Sequence, residues 1–334
     1  MHLINHRIDK FFWFTCFLIM SLYILHEHST SGVAIDLDTM MARHRNFING
    51  NSEFFNPWQY RILAPFMLEG LVQIFIKISP GAPEVLPYLF LRFLQNMILL
   101  YIAFYFYREL KISNPVILFA GMLLLCFNIS NSVFRSDLSF NTYFDVIFYL
   151  LAGWAIVTNR FIWIIPITFF AALNRETSGF IPLMLVAAFT GKDWKNSLKE
   201  RLVIGGISLA LFAACFVTIR LYYGYQEAKG IHGITSPIDY LSFNFTFLRM
   251  YPQLFGTLAL IPVVVIICFN KIPRILRNWF WLIVPSWILI HLIKSITAET
   301  RLFLVPHALI FIPAMLYLAE YYVSSNSPPQ KERM

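Results

Sequence analysis

The residues with the clearest chemical potential lie in the first long polar segment, 26–61, which follows an apolar opening stretch. Asp36 and Asp38 stand two residues apart there, in the sequence AIDLDT. An aspartate can take a proton from a hydroxyl group as a general base, or it can hold a divalent cation. A structural role is also open, because one of the two can cap a predicted helix over 40–48. Both aspartates are therefore candidate catalytic residues.

Charged residues at two later positions are candidates for binding an anion. Arg175 and Glu176 lie between two apolar segments, and so do Glu299 and Arg301. Such charges are costly in a membrane, so they usually face a partner or a polar cavity. Because guanidinium groups match phosphate oxygens in pairs, we expect Arg175, Arg301 and Lys294 to bind a phosphate. In the structural alternative, Arg175 pairs with Glu299. Arg301 then pairs with Glu176, and both pairs only tie helices together.

Other polar residues give weaker indications. Arg92 lies one turn inside a predicted span, and we expect it to reach the membrane surface or to face the cavity. The histidines at 26 and 28 point in different directions on a helix, so they do not predict a metal site. The four cysteines lack paired spacing and also predict none. A divalent cation at the aspartates stays open.

Composition assigns the chain to the membrane proteins. Of its 334 residues 58% are apolar and 13% are charged, which excludes an ordinary soluble domain. Long apolar runs predict an all-α fold, a polytopic membrane helical bundle. The net charge of +8 is interpreted as membrane topology, and we expect no nucleic-acid partner. The chain has no glycine-rich phosphate loop, so we expect no nucleotide cofactor.

Hydropathy predicts about ten transmembrane helices, with an ambiguous extra segment at 59–79. The spans are predicted at 11–25, 87–107, 115–128, 142–158, 161–173, 178–190, 202–223, 253–269, 279–293 and 302–322.

Charge bias orients these segments, because lysine and arginine collect in short cytoplasmic loops. With both termini in the cytoplasm, basic residues predominate on the inner side, provided that 59–79 lies on the outer face without crossing. The same bias predicts two short helices within 161–190, which turn at residues 174–177 on the outer side.

The chain is interpreted as a single integral membrane domain, 1–323. It has an outer loop with interfacial helices at 26–86 and a second outer loop at 224–252. A short disordered cytoplasmic tail is predicted at 324–334. No internal repeat is evident in the sequence.

The order of elements in roughly the first 110 residues resembles the GT-C superfamily of polytopic glycosyltransferases. A first span is followed by an acidic outer loop with Asp36 and Asp38. An amphipathic stretch from Tyr60 to Lys77 comes next, and Leu91-Arg92 open the following span. The resemblance covers the architecture and no diagnostic string. The chain differs from larger members in its number of spans and in lacking a soluble C-terminal domain.

The resemblance implies a sugar donor linked to polyprenyl phosphate and used on the outer face. It implies that Asp36 or Asp38 deprotonates or orients an acceptor hydroxyl. Cationic residues, for which Arg61 is a further candidate with Arg175 and Arg301, would hold the leaving phosphate. Positioning and electrostatic stabilisation would then carry most of the rate.

The sequence therefore predicts a membrane glycosyltransferase of the cell (inner) membrane. It would move a sugar from a polyprenyl-phosphate carrier to a lipid, polysaccharide or protein acceptor on the non-cytoplasmic face. Glu176 and Glu299 complete the candidate substrate site. A transporter or flippase for a lipid-linked or anionic substrate is the alternative, and a non-catalytic partner of a polysaccharide assembly system is another. Sugar, acceptor and oligomeric state are left open.

Overall fold

The structure is a computed structural model that describes residues 2–30, 37–50, 58–81, 83–132, 139–189, 194–224, 234 and 236–326. Its regular elements are helices, as the sequence predicts. Nine of these helices are long: α1 (His2–Thr30), α2 (Leu37–Ile48), α3 (Leu63–Ile78), α4 (Leu86–Glu109), α5 (Pro115–Asn131), α6 (Phe140–Val157), α9 (Trp194–Tyr223), α13 (Arg274–Lys294) and α15 (Ile312–Asn326).

Shorter helices connect them. They are α7 (Ile164–Ala172), α8 (Phe180–Ala187), α10 (Pro237–Thr246), α11 (Met250–Leu258), α12 (Ile261–Ile267) and α14 (Leu304–Pro306). A π-helical turn, His307–Phe311, joins α14 to α15.

Six helical stretches of the described chain are long and apolar enough to cross a membrane: Asp9–Thr30, Leu86–Glu109, Phe140–Val157, Leu198–Tyr223, Arg274–Lys294 and Thr300–Ser325. The pair α11 and α12 makes a seventh if its 73° bend lies within one span. The predicted number of about ten spans is not confirmed, because the helices at 115–131, 161–172 and 176–187 are shorter.

The centre of the bundle is formed by α6 and by the last span, which begins at Thr300. In both, 78% of the most apolar window is buried, whereas in α9 the figure is 22%. An apolar helix that stays exposed needs lipid around it, so α9 lies at the periphery. Trp279 and Trp287 of α13 are fully buried, and their indole N–H groups donate to the carbonyls of Met184 and Leu302.

The helices α7 and α8 form a hairpin that lies against α9. The guanidinium of Arg201, early in α9, donates to the carbonyl of Ala188 and lies 4.8 Å from the ring of Phe161. The start of α7 and the end of α8 are therefore both close to the beginning of α9. Its turn contains Glu176, which lies 3.5 Å from Arg220 near the other end of α9. The two short helices and their turn lie at the predicted positions in the sequence, and their placement on the outer side stays a prediction.

The bundle has two ends, which we call the site end and the opposite end. The site end holds the first turns of α4 and α6, the hairpin turn at 174–177, the last turns of α9 and the segment 295–301. The opposite end holds Arg201, the end of α4 and the start of α5. There the carboxylate of Glu320 accepts the backbone N–H of Ser113 at 2.8 Å.

Two helices of the predicted outer loop 26–86, α2 and α3, lie at the site end. The helix α3 packs against α4 and exposes Phe66, Ile74 and Ile76 along one side. It is not among the helices of the described chain that are long and apolar enough to cross a membrane, and the position of 59–79 on the outer face stays a prediction. At the other end of the sequence, α15 continues to Asn326, past residue 323, where the membrane domain was predicted to end. Residues 327–334 lie outside the described chain.

Candidate functional site

The site end contains a cluster of five arginines and three carboxylates that come from six parts of the chain. We call it the arginine cluster. Its members are Arg61 at the start of α3, Arg92 on α4, Asp145 on α6, Arg175 and Glu176 in the hairpin turn, Arg220 on α9, and Glu299 and Arg301 before α14.

Glu176 bridges two of these arginines. Its Oε2 lies 3.2 Å from Nη2 of Arg61, and its Oε1 lies 3.5 Å from Nη2 of Arg220. The backbone N–H of Leu63 donates to the carbonyl of Leu173 at 3.0 Å. The hairpin turn is therefore attached to the start of α3 and to the end of α9.

Asp145 forms an ion pair with Arg175 and accepts a hydrogen bond from Thr177. Its Oδ2 lies 3.3 Å from Nη1 of Arg175 and 3.2 Å from the hydroxyl of Thr177, which donates to it. The side chain of Asp145 is fully buried, and its Oδ1 has no hydrogen-bond partner among the described residues. The sequence signal was a charged residue one turn inside an apolar helix, and the selection of site residues missed it.

Arg301 is held by its own turn and by α6. Its Nε and Nη2 donate to Oε2 of Glu299 at 3.2 and 2.8 Å. Its Nη1 lies 3.3 Å from the hydroxyl of Ser139 and 3.5 Å from that of Thr142. The exchanged pairing of the structural alternative is therefore wrong, because Arg301 pairs with Glu299 and Arg175 pairs with Asp145.

Arg92 is buried, so the expectation that it reaches the membrane surface is wrong, and the alternative that it faces the cavity stays a prediction. Only 1% of it is exposed, and its guanidinium lies 4.1 Å from the ring centre of Tyr143 and 4.8 Å from that of Phe140. Its Nη1 donates to Oε1 of Gln95 at 3.3 Å. Rings this close stabilise a buried cation through their negative faces.

A partly open cleft lies beside the cluster, between α2, α3 and the first turn of α6. Trp58 stands in its wall between Arg43 and Arg61, whose guanidinium groups are 5.2 and 5.3 Å from the indole ring. Ser139 and Asn141 form the α6 side of the cleft. A flat aromatic ring beside two cations suits a ligand that has both a hydroxylated ring and a negative charge.

The cluster favours an anion. Five arginines against three carboxylates leave two formal positive charges among its members. The guanidinium of Arg175 lies close enough to Arg61 and Arg301 for like-charge repulsion. In a partly dehydrated site that repulsion is strong, and a bound phosphate would relieve it.

The described contacts do not join Asp38 to this cluster. Asp36 lies outside the described residues. Asp38 is exposed in the first turn of α2, where its charge is favourable for the helix dipole. Lys294 is exposed in the last turn of α13, and the described contacts do not join it to the arginine cluster. The catalytic role of the two aspartates stays a prediction.

Two histidines near the site end hydrogen-bond to backbone carbonyls. His28 shares a hydrogen bond of 3.1 Å with the carbonyl of Ile129, and His291 shares one of 2.7 Å with that of Trp287. Within the described chain, no group of three His, Cys, Asp or Glu side chains is arranged to hold a metal ion.

His44 was not selected from the sequence, and it links three helices beside the cleft. Its Nδ1 is 3.0 Å from the hydroxyl of Tyr88 on α4, and its Nε2 is 3.3 Å from Oε2 of Glu69 on α3. Burial lowers the pKa of His44 below its ordinary value, and the Glu69 carboxylate opposes that shift. The neutral imidazole of His44 therefore connects α2 to α3 and α4.

Comparison with protein-family models, with curated proteins and with solved structures gave no match to this chain.

Proposed function

We propose that this protein is a membrane glycosyltransferase that takes a sugar from a polyprenyl-phosphate carrier. The acceptor would be a lipid, a polysaccharide or a protein on the non-cytoplasmic face. The observation that carries the proposal is the arginine cluster beside an aromatic cleft, at one end of a helical bundle whose helices can span a membrane.

The chemistry required of the protein is modest. A phosphate leaves a sugar readily once its developing charge is balanced by fixed cations. Arg61 and Arg301 are fixed by the carboxylates of Glu176 and Glu299, so they would need little rearrangement to receive that charge. Asp36 or Asp38 would accept the proton of the acceptor hydroxyl. A divalent cation at these aspartates is an open part of the proposal.

A transfer assay tests the proposal. The purified protein is placed in lipid vesicles with a polyprenyl-phosphate-linked radiolabelled sugar and an extract of envelope lipids and polysaccharides. We expect the label to move from the carrier to an acceptor, which chromatography detects. Asp36→Asn and Asp38→Asn variants are compared with the parent, and we expect at least one to abolish transfer while its melting curve stays unchanged. Full activity in both variants would remove the proposed base.

A transporter or flippase is a second candidate, and one observation favours it. The helices α11 and α12 bend by 73° around Ala259, and discontinuous helices often line transport paths. The bend lies near the site, because the hydroxyls of Thr257 and Thr300 are 3.1 Å apart. Movement of labelled lipid between membrane leaflets, without any glycosylated product, would select this candidate over the enzyme.

A further inference from the structure

We propose that the seat for the phosphate group is the N-terminus of α6, where it opens into the cleft, and that Asn141 selects a ligand with a hydroxyl group beside that phosphate. This inference rests on the proposed function for the origin of the ligand, and it assigns the contact to a part of the chain that the sequence did not indicate.

The first turn of α6 is available for an anion. Ser139 precedes the helix with an extended backbone, but its side chain makes no capping hydrogen bond. Its hydroxyl instead accepts from Nη1 of Arg301. The first N–H groups of any α-helix lack partners within the helix and carry its partial positive charge. Since Ser139, Phe140 and Asn141 line the cleft, this end of the helix faces the space where a ligand would lie.

Asn141 gives independent support for a ligand. Only 5% of this residue is exposed, it lines the cleft, and its side-chain Oδ1 has no hydrogen-bond partner among the described residues. A buried amide oxygen without a donor is costly, and a hydroxyl group from a ligand would satisfy it. The amide nitrogen of the same side chain can donate to a phosphate oxygen. The turn is fixed in place, because the carbonyl of Asn141 accepts from Nδ2 of Asn174 at 2.9 Å.

The cations of the cluster divide into two groups around this seat. Arg61 lines the cleft, and Arg301 lies behind Ser139, so both can add charge to a phosphate there. Arg175 is instead engaged by Asp145, which lies one helical turn beyond Asn141 on α6. Arg175 is therefore a positioning residue for the hairpin turn, and the phosphate set becomes Arg61, Arg301 and the first turn of α6.

The chemistry that fits is a phosphate ester with a neighbouring hydroxyl, as in a sugar phosphate. Such a group can come from a lipid carrier in the membrane or from a soluble sugar phosphate. Binding to the full-length protein in lipid nanodiscs distinguishes them with four probes: radiolabelled polyprenyl-phosphate glucose, polyprenyl phosphate without the sugar, polyprenol without phosphate, and glucose 1-phosphate as a soluble competitor. Weaker binding of polyprenyl phosphate than of its glucose derivative is the result expected if a hydroxyl group is recognised. Competition by glucose 1-phosphate at matched concentration points to the soluble source, and its absence points to the lipid.

The decisive variant is Asn141→Asp, which keeps the shape of the side chain and adds a negative charge at the seat. We expect it to weaken phosphate binding by about tenfold or more through like-charge repulsion. The matched control is Asn114→Asp, at the N-terminus of α5 on the opposite end. Asn114 caps that helix by accepting from the backbone N–H of Val116, and an aspartate keeps that bond. We expect the control to bind as the parent does.

Wild-type affinity of a folded Asn141→Asp variant would overturn the seat. If that variant does not fold, Asn141→Ala takes its place, with an expected loss of about fivefold from the missing amide, and unchanged affinity would again overturn the proposal. The binding result is separate from catalysis. Binding lost in Asn141→Asp, together with no transfer by the parent, keeps the seat and removes the enzyme. Transfer by the parent, together with unchanged binding in the variant, keeps the enzyme and removes the seat.

Discussion

The two ends of the bundle use the same residue type in different ways. At the opposite end, Arg108, Arg160 and Arg274 are exposed and lie 5.5, 4.9 and 5.7 Å from the ring centres of aromatic neighbours. At the site end, Arg175 and Arg301 are buried and each pairs with a carboxylate.

The difference separates two functions of positive charge. An exposed arginine over an aromatic ring is suited to the membrane surface, where it helps to orient the chain. A buried arginine that pairs with a carboxylate has lost its hydration shell. Its electrostatic interaction with a charged ligand is therefore strong. Even Arg201, which is buried at the opposite end, has the carbonyl of Ala188 and the ring of Phe161 as partners. The positive charge of an arginine therefore does not identify the site by itself. Its pairing with a carboxylate does.

The largest effect on stability should come from Asp145→Asn. The change leaves Arg175 buried without its counter-charge, which should lower the free energy of unfolding by about 3 to 5 kcal/mol. Denaturant titration in detergent micelles measures it. The matched change at the opposite end, Glu320→Gln, keeps an acceptor for the N–H of Ser113 and should cost less than about 1 kcal/mol. Equal losses at the two ends would break the comparison.

A smaller effect is expected from Glu176→Gln. Glu176 is more exposed than Asp145, so solvent screens its pairs with Arg61 and Arg220. We expect a loss of about 1 kcal/mol in the free energy of unfolding. A double-mutant cycle with Arg220→Gln checks the origin of the loss. If the two changes are additive, the pair does not couple the hairpin turn to α9.

The smallest effect concerns pH and His44. Because the folded-state pKa is lowered, the unfolded chain binds the proton more tightly. The contribution of His44 is fully present above its unfolded pKa of about 6.5 and is lost as the pH falls below that value. The group is surrounded by Glu69, Glu84, Arg45 and the hydroxyl of Tyr88. We expect melting temperatures measured between pH 7.5 and 5.0 to fall more steeply for the parent than for His44→Gln. Parallel curves would assign the pH dependence elsewhere.

The sequence predicts the architecture better than it predicts the pairing within the site. Apolar runs locate the helices, and the charge bias locates the turn at 174–177. Whether a helix such as Pro115–Asn131 crosses depends on its length in the fold, which a hydropathy pattern does not determine. Asp145 and Arg175 are thirty residues apart, and only the packing of α6 against α7 brings them together. Arg92 lies between aromatic rings rather than at the surface, because α6 covers it with Phe140 and Tyr143.

At the site end Arg61 and Arg301, and not the exposed arginines of the opposite end, are expected to hold the phosphate-linked substrate. The most direct measurement is sugar transfer from labelled polyprenyl phosphate in vesicles by Arg301→Gln and by Arg274→Gln, at equal amounts of folded protein. The account predicts a loss of about 100-fold or more for Arg301→Gln and parent activity for Arg274→Gln. Equal activity in the two variants would contradict it.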